Sequence, residues 1–212
     1  MKKWKIFAVV SCLCFVVAAC TGAGGFSDET IRYKMTVTVE TPEGIKTGSA
    51  VREAVRHTEP SILPEQGGAT YNISKGEAVV IDLGQRGILF ALLGGEWEAK
   101  IAFHALAHVS KAEMFELDPL MKKWGSPRFV FFKNAKNPET VIAADFRNLE
   151  KDFGLGVKLA SFEMERTVEP VRVGIVHQNL PWLDKVHGYI SGKNISGPSL
   201  FENLDTAEFK RN

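Results

Sequence analysis

His104-Ala105-Leu106-Ala107-His108 sets two imidazoles four residues apart. On a helix that spacing stacks them on one face, and a shared zinc ion is the chemistry such a pair suggests. The metalloprotease version needs a Glu directly after the first His as general base. Ala105 stands there, which leaves a non-proteolytic metal site in need of a third ligand. His57, His177, His187 and Glu113 are the candidates, and spacing does not choose among them. The competing reading is two histidines at the rim of a buried helix, bonded to backbone or water. Glu53 and His57 are also four apart. On a strand they share a face and could form an acid–base pair, although mutual bonding or exposure is the more ordinary outcome.

Cys20 offers a different chemistry. Met1-Lys2-Lys3-Trp4-Lys5 is cationic, and Ile6 to Val17 is apolar throughout. This is the layout of a secretory signal peptide, and the run falls short of the roughly 20 apolar residues that a membrane span needs. Val17-Ala18-Ala19-Cys20 resembles the bacterial lipobox, in which a peptidase cuts before the cysteine and acyl chains such as palmitate are attached to it. Small side chains enter a narrow protease cleft, and the thiol accepts the lipid. All three cysteines (Cys12, Cys14, Cys20) lie in or at the end of this segment. The mature chain would keep only Cys20, which excludes disulfides and cysteine-rich metal clusters. Acylation would also remove a lone thiol that is a liability in an oxidising compartment. Thr21-Gly22-Ala23-Gly24-Gly25 then reads as a tether. Thr rather than Asp follows the cysteine, and by its likeness to Gram-negative lipoproteins this favours the outer membrane, facing the periplasm.

Other motifs are missing. The sequence has no Gly-x-Ser-x-Gly elbow, P-loop, Gly-x-Gly-x-x-Gly fingerprint or paired-Cys motif. Asp152-Phe153-Gly154 spells the kinase magnesium triplet but lacks its companions. Trp97, Trp124 and Trp182 could stack on sugars, though packing is the more ordinary role beside short helices. Removing the first 19 residues takes away three of the 26 Lys and Arg and none of the 25 Asp and Glu, leaving 193 residues with a net charge of −2. That balance argues against nucleic acid, which demands a basic patch. The remaining length suits one domain with a sizeable core.

The elements that must carry these residues follow from periodicity. Tyr33, Met35, Val37 and Val39 alternate with Lys34, Thr36, Thr38 and Glu40, which predicts a half-buried strand. Thr41-Pro42-Glu43-Gly44 turns the chain into a second strand from Ile45 to His57, with Gly48 marking a bulge or a close backbone approach. Glu59 to Ala69 reads as a loop. Ala78–Leu83 and Gly87–Leu93 form a hairpin that is apolar on both faces and therefore central. Glu96 to Ser110 is the best helix, apolar enough to be buried. Asp118-Pro119 looks like the start of a short helix stopped by Gly125. Phe129–Phe132 is a strand. Asp145–Phe153 looks helical, with Gly154 as its stop. Asp145, Glu150 and Asp152 read there as a cap and a solvated face. Val157–Thr167 is a strand with a bulge near Ala160, and Val171, Val173 and Ile175 alternate again. Asn179 to Gly188 holds a last short helix.

The fold class is therefore α+β: mainly antiparallel sheet built from hairpins, packed on one buried helix plus several short ones. The organisation is a lipoprotein signal peptide (1–19), a tether (20–29), one α+β domain (30–190) and a polar, loosely held C-terminal tail (191–212). "RYKMTVTVETPEGIKTGSAVREA", "GEAVVIDLG", "PRFVFFKNAKNPETV" and "VEPVRVGIVHQNLPWL" together resemble a group of small exported bacterial proteins of unknown function. The likeness runs from Arg32 to Leu183 and implies no catalytic residue.

The functional expectation is a lipid-anchored bacterial envelope protein with a binding or structural role. Its partners would be the membrane through the lipid, and an envelope protein, a glycan or a small ligand. The alternatives are a zinc-dependent hydrolase centred on His104 and His108, and a prophage-type surface-exclusion lipoprotein.

Overall fold

The structure, a computed structural model, describes residues 27–58, 68–186, 188–190 and 204–212. The signal segment, Cys20 and most of the tether, most of the 59–69 loop, His187 and residues 191–203 lie outside the described residues.

The first strand, β1 (Ser27–Thr41), and its partner β2 (Gly44–Thr58) form one long antiparallel hairpin. The expected alternation holds: Ile31, Tyr33, Met35, Val37 and Val39 are buried and their neighbours face outward. Beyond the expected 59–69 loop, most of which lies outside the described residues, β3 (Ala69–Glu77) runs along the far edge of β2. Its polar run Asn72-Ile73-Ser74-Lys75 hides it from a hydrophobic pattern. The central hairpin is β4 (Val79–Asp82) and β5 (Ile88–Ala91). Next come α1 (Gly95–Ala105), the two-residue β6 (Lys111–Ala112) and α2 (Met114–Trp124). β7 (Phe129–Phe132) and β8 (Val141–Ala144) add a second hairpin to the central pair.

After α3 (Glu150–Phe153), β9 (Lys158–Arg166) returns beside β1. Its register slips between Thr38 and Val39, so that Ser161 and Leu159 are paired while Ala160 is passed over. That is the bulge expected there. Val171 and Val173 join no strand. The chain instead forms α4 (Ile175–Asn179), because the buried Glu77 carboxylate accepts the N–H groups of Gly174, Ile175 and Val176. The expected helix over Asn179–Gly188 is one short turn at Leu183–Lys185. β10 (Tyr189–Ile190), β11 (Leu204–Asp205) and β12 (Lys210–Arg211) close the chain.

The strands make a six-stranded sheet, ordered β12-β3-β2-β1-β9-β6, a four-stranded sheet, β4-β5-β7-β8, and the β10–β11 pair. The α+β class with mostly antiparallel strands is what the sequence predicts. β4 crosses β2 so closely that a Cβ on Gly48 would overlap the Val80 carbonyl oxygen. Gly48 therefore marks a close approach, one of its two expected roles. Leu89, Ala91, Val79, Ile81 and Phe129 fill the core between the sheets with α1 and α2. Phe90, Leu92 and Val130, on the opposite face, fill a second core with Val176, Leu180, Trp182, Ile190, Leu204 and Phe209. The central hairpin is thus buried on both faces, as its composition requires.

The C-terminal residues differ from the expected tail. Phe209 is fully buried in the second core, β12 pairs with the end of β3, and Arg211 donates to Asn72 Oδ1 and the Ile73 carbonyl. One apolar ring with a strand edge to pair with is enough to anchor an otherwise polar stretch.

One polar cluster lies at the centre. Arg52, Tyr33 and Glu98 are fully buried. Glu98 Oε1 accepts from Arg52 Nη1 at 2.7 Å and from the Tyr33 hydroxyl at 2.5 Å, while Glu98 Oε2 accepts from Gly94 N at 2.6 Å. Arg52 spends its other donors on the carbonyls of Glu77, Leu92 and Ala91. The network ties both sheets to the start of α1. Burial, reinforced by the Glu98 charge, pushes the Tyr33 hydroxyl well above its ordinary value of 10.0.

Candidate cleft along the second helix

The helix α1 ends at Ala105, five residues short of the expected Ser110, and Leu106 caps it through its N–H on the Ala102 carbonyl. His108 falls in the bend beyond, so it and His104 do not share a helical face. His104 is exposed and lies 4.6 Å from the Trp124 ring, with Tyr71 at 6.5 Å. Among the described residues no three His, Cys, Asp or Glu side chains gather to hold a metal. Three of the four candidate third ligands are engaged elsewhere: His57 faces Asp28 at 2.7 Å, His177 faces Asp184 at 3.0 Å, and Glu113 is the N-cap of α2; the fourth, His187, lies outside the described residues.

Glu53 and His57 do lie on a strand, but they do not pair. Glu53 takes Arg32 at 3.1 Å, Ser74 Oγ at 3.1 Å and Lys75 at 3.5 Å. Burial alone would raise this carboxyl. The hydrogen bonds from Arg32 and Ser74 and the Lys75 ammonium outweigh it and hold Glu53 below its usual range. The three tryptophans form no platform. Trp97 packs against the main core, Trp124 beneath His104, and Trp182 donates to the Ala135 carbonyl from within the second core.

What the fold does open is a cleft of about 460 Å³ between α2, the 146–150 segment and the start of β9. α2 begins one turn before Asp118. Glu113 and Glu116 form a capping box, with Glu116 Oε2 accepting the Glu113 N–H, and two reciprocal bonds define the N-terminus better than an Asp-Pro pair. Pro119 therefore sits inside the helix, and Asp118 pairs with Lys122 at 2.6 Å instead of capping. Met114 and Met121, two turns apart, face the cleft.

Opposite them, Asp145 keeps residues 145–148 out of a helix. Its Oδ1 accepts from Arg147 N and its carbonyl from Asn148 N, an Asx turn that competes with helical bonding. Helix α3 starts only at Glu150 and stops at Gly154, as expected. Asp152, partly buried, is raised above its ordinary range, chiefly by desolvation. The turn leaves Phe146 packed on Phe129 and the Arg147 guanidinium 4.5 Å above the Phe146 ring. Leu149 and Val157 are buried at the base. Glu150 Oε1 accepts from Gly156 N at 3.0 Å, which pins the return into β9.

The cleft thus has an apolar floor and a charged rim, the general form of a ligand pocket. No protein-family model, curated protein or solved structure matches the chain, so nothing about its chemistry is carried over from a relative.

Proposed function

We propose that the mature chain is a lipid-anchored binding protein of a bacterial envelope, and that the cleft along α2 is its ligand site. The observation that carries the reading is the cleft itself. Its volume lies in the range of small-molecule sites, about 300–1,000 Å³, and its lining joins several apolar side chains to a few charged groups. The anchor rests on the Val17-Ala18-Ala19-Cys20 signature.

The geometry of the first strand supports the combination. Only seven peptide units separate Cys20 from Ser27, a reach of at most about 25 Å. β1 starts there, and its partners in β9 include Lys158 and Leu159 opposite Glu40 and Val39, both at the cleft. Twelve or thirteen residues of strand at about 3.4 Å each put the cleft some 40 Å from the tethered end. An acylated Cys20 would hold one end at the bilayer and present the cleft away from it.

The test is phase partition of the protein expressed in a Gram-negative host. The native chain should enter the detergent phase and Cys20→Ser the aqueous phase. A native chain that stays aqueous would overturn the anchor.

A further inference from the structure

On the reading that the cleft is a binding site, its charges and floor narrow the ligand. Met114, Met121, Leu149, Val157 and Leu159 supply a floor without a polar group, and the two thioethers adapt to varied apolar shapes. The rim carries two carboxylates: Asp118 is paired with Lys122, whereas Glu150 accepts the Gly156 N–H and keeps its charge. It also carries Arg147 and Lys158, which make no ion pair among the described residues. Arg147 lies against the Phe146 ring, a contact that orients a guanidinium without neutralising it. About half of the other described surface charges sit in pairs, such as Glu43 with Arg86 and Lys100 with Glu96. Three cations (Lys122, Arg147, Lys158) against two carboxylates (Asp118, Glu150) leave the cleft lining with an excess of one positive charge, carried on the exposed Arg147 and Lys158.

We propose that the cleft takes an amphiphilic anion: one acyl-like or aromatic body on the Met114–Met121 floor, with one carboxylate or phosphate head held by Arg147 and Lys158. A cationic amphiphile would meet two like charges. A polyanion would find only two cations and an apolar trough. A neutral amphiphile would leave both cations without a counter-charge.

The mature protein carries its own probes. Among the described residues every buried core residue lies at or beyond Ile31, so a chain starting at Thr21 keeps all of them. It contains four methionines: Met114 and Met121 in the cleft, and Met35 and Met164 in the main core. With methyl-labelled methionine, titration of decanoate or decyl phosphate below the micellar concentration should shift the Met114 and Met121 signals saturably and leave Met35 and Met164 in place. Decanol and decyltrimethylammonium should bind at least tenfold more weakly. The double variant Arg147→Glu/Lys158→Glu should lose at least tenfold in decanoate affinity, with unchanged Met35 and Met164 signals showing that it is folded. If decanol or the cation binds as well as decanoate, or the double variant binds decanoate unchanged, the anion assignment is wrong while the cleft remains a binding site. If none of the four probes moves Met114 or Met121, the cleft is not a site for such ligands and the binding reading falls with it.

Discussion

Replacing Glu98 with Ala would remove the carboxylate that Arg52 and Tyr33 share and leave its donors behind. Arg52, Tyr33 and Glu98 are all fully buried. The substitution strands the Tyr33 hydroxyl and the Gly94 N–H, which now reach the carboxylate at 2.5 and 2.6 Å, and leaves Arg52 Nη1, now 2.7 Å from it, with only the Leu92 carbonyl at 3.4 Å. Breaking one side of a buried ion pair costs about 3–5 kcal/mol, because an uncompensated charge stays in the interior. A domain of this kind has roughly 5–15 kcal/mol in total, so the variant should be marginal. Urea denaturation of the chain starting at Thr21 should show a lower midpoint with an unchanged slope. For this chain length the melting temperature should fall by roughly 6–20 °C, at about 2–4 °C per kcal/mol. The double variant Arg52→Met/Glu98→Leu should recover much of the loss, since removing both partners of a buried pair is often near neutral. A loss below about 1 kcal/mol for Glu98→Ala, or a double variant no better than the single, would refute the view that this network is a closed electrostatic unit.

The same centre should respond to alkali. The Tyr33 hydroxyl is raised in the folded state, so its contribution is complete below the ordinary value of 10.0 and is lost as pH rises toward the folded value. Native stability should fall across that window by about 1.4 kcal/mol per pH unit more than that of Tyr33→Phe, and parallel profiles would count against it. Gly48→Ala would press a methyl group into the Val80 carbonyl. It should cost about 1–3 kcal/mol by overpacking, and a neutral result in urea would show that β4 can move away from β2. Phe209→Ala, in the second core, should cost about 3–5 kcal/mol. It should also speed amide exchange in β12, whereas unchanged exchange there would mean that the C-terminus is held by backbone pairing alone.

Much of this fold is legible in the residues themselves. The alternation from Tyr33 to Val39, the doubly apolar central hairpin and the Ala160 bulge are local patterns with local causes, and the structure keeps them. The failures share a different cause. Asp118-Pro119 is a strong helix start, yet the Glu113–Glu116 capping box one turn earlier prevails. Asp145 starts a turn because its side chain bonds the Arg147 N–H before a helix can claim it. The Val171–Ile175 alternation does not become a strand, since Glu77, about a hundred residues away in the chain, captures the N–H groups at 174–176. The buried network leaves one visible trace, a Glu at position 98 on the same helix face as Ile101 and Ala102, but its partners come from β1 and β2. The cleft is the extreme case. Met114 and Met121 are visible as two turns of one helix face, but Arg147 and Lys158 carry no mark of their own, and only the fold sets them on one rim.

The tether is what would make this cleft a site of the envelope and not of the cytosol, and it rests on one atom, the Cys20 sulfur. Intact-mass measurement of the native protein recovered from membranes tests it most directly. The account predicts a chain beginning at Cys20, heavier than its amino-acid composition by the attached acyl groups. A chain of unmodified mass, whether it starts at Met1 or elsewhere, would contradict it.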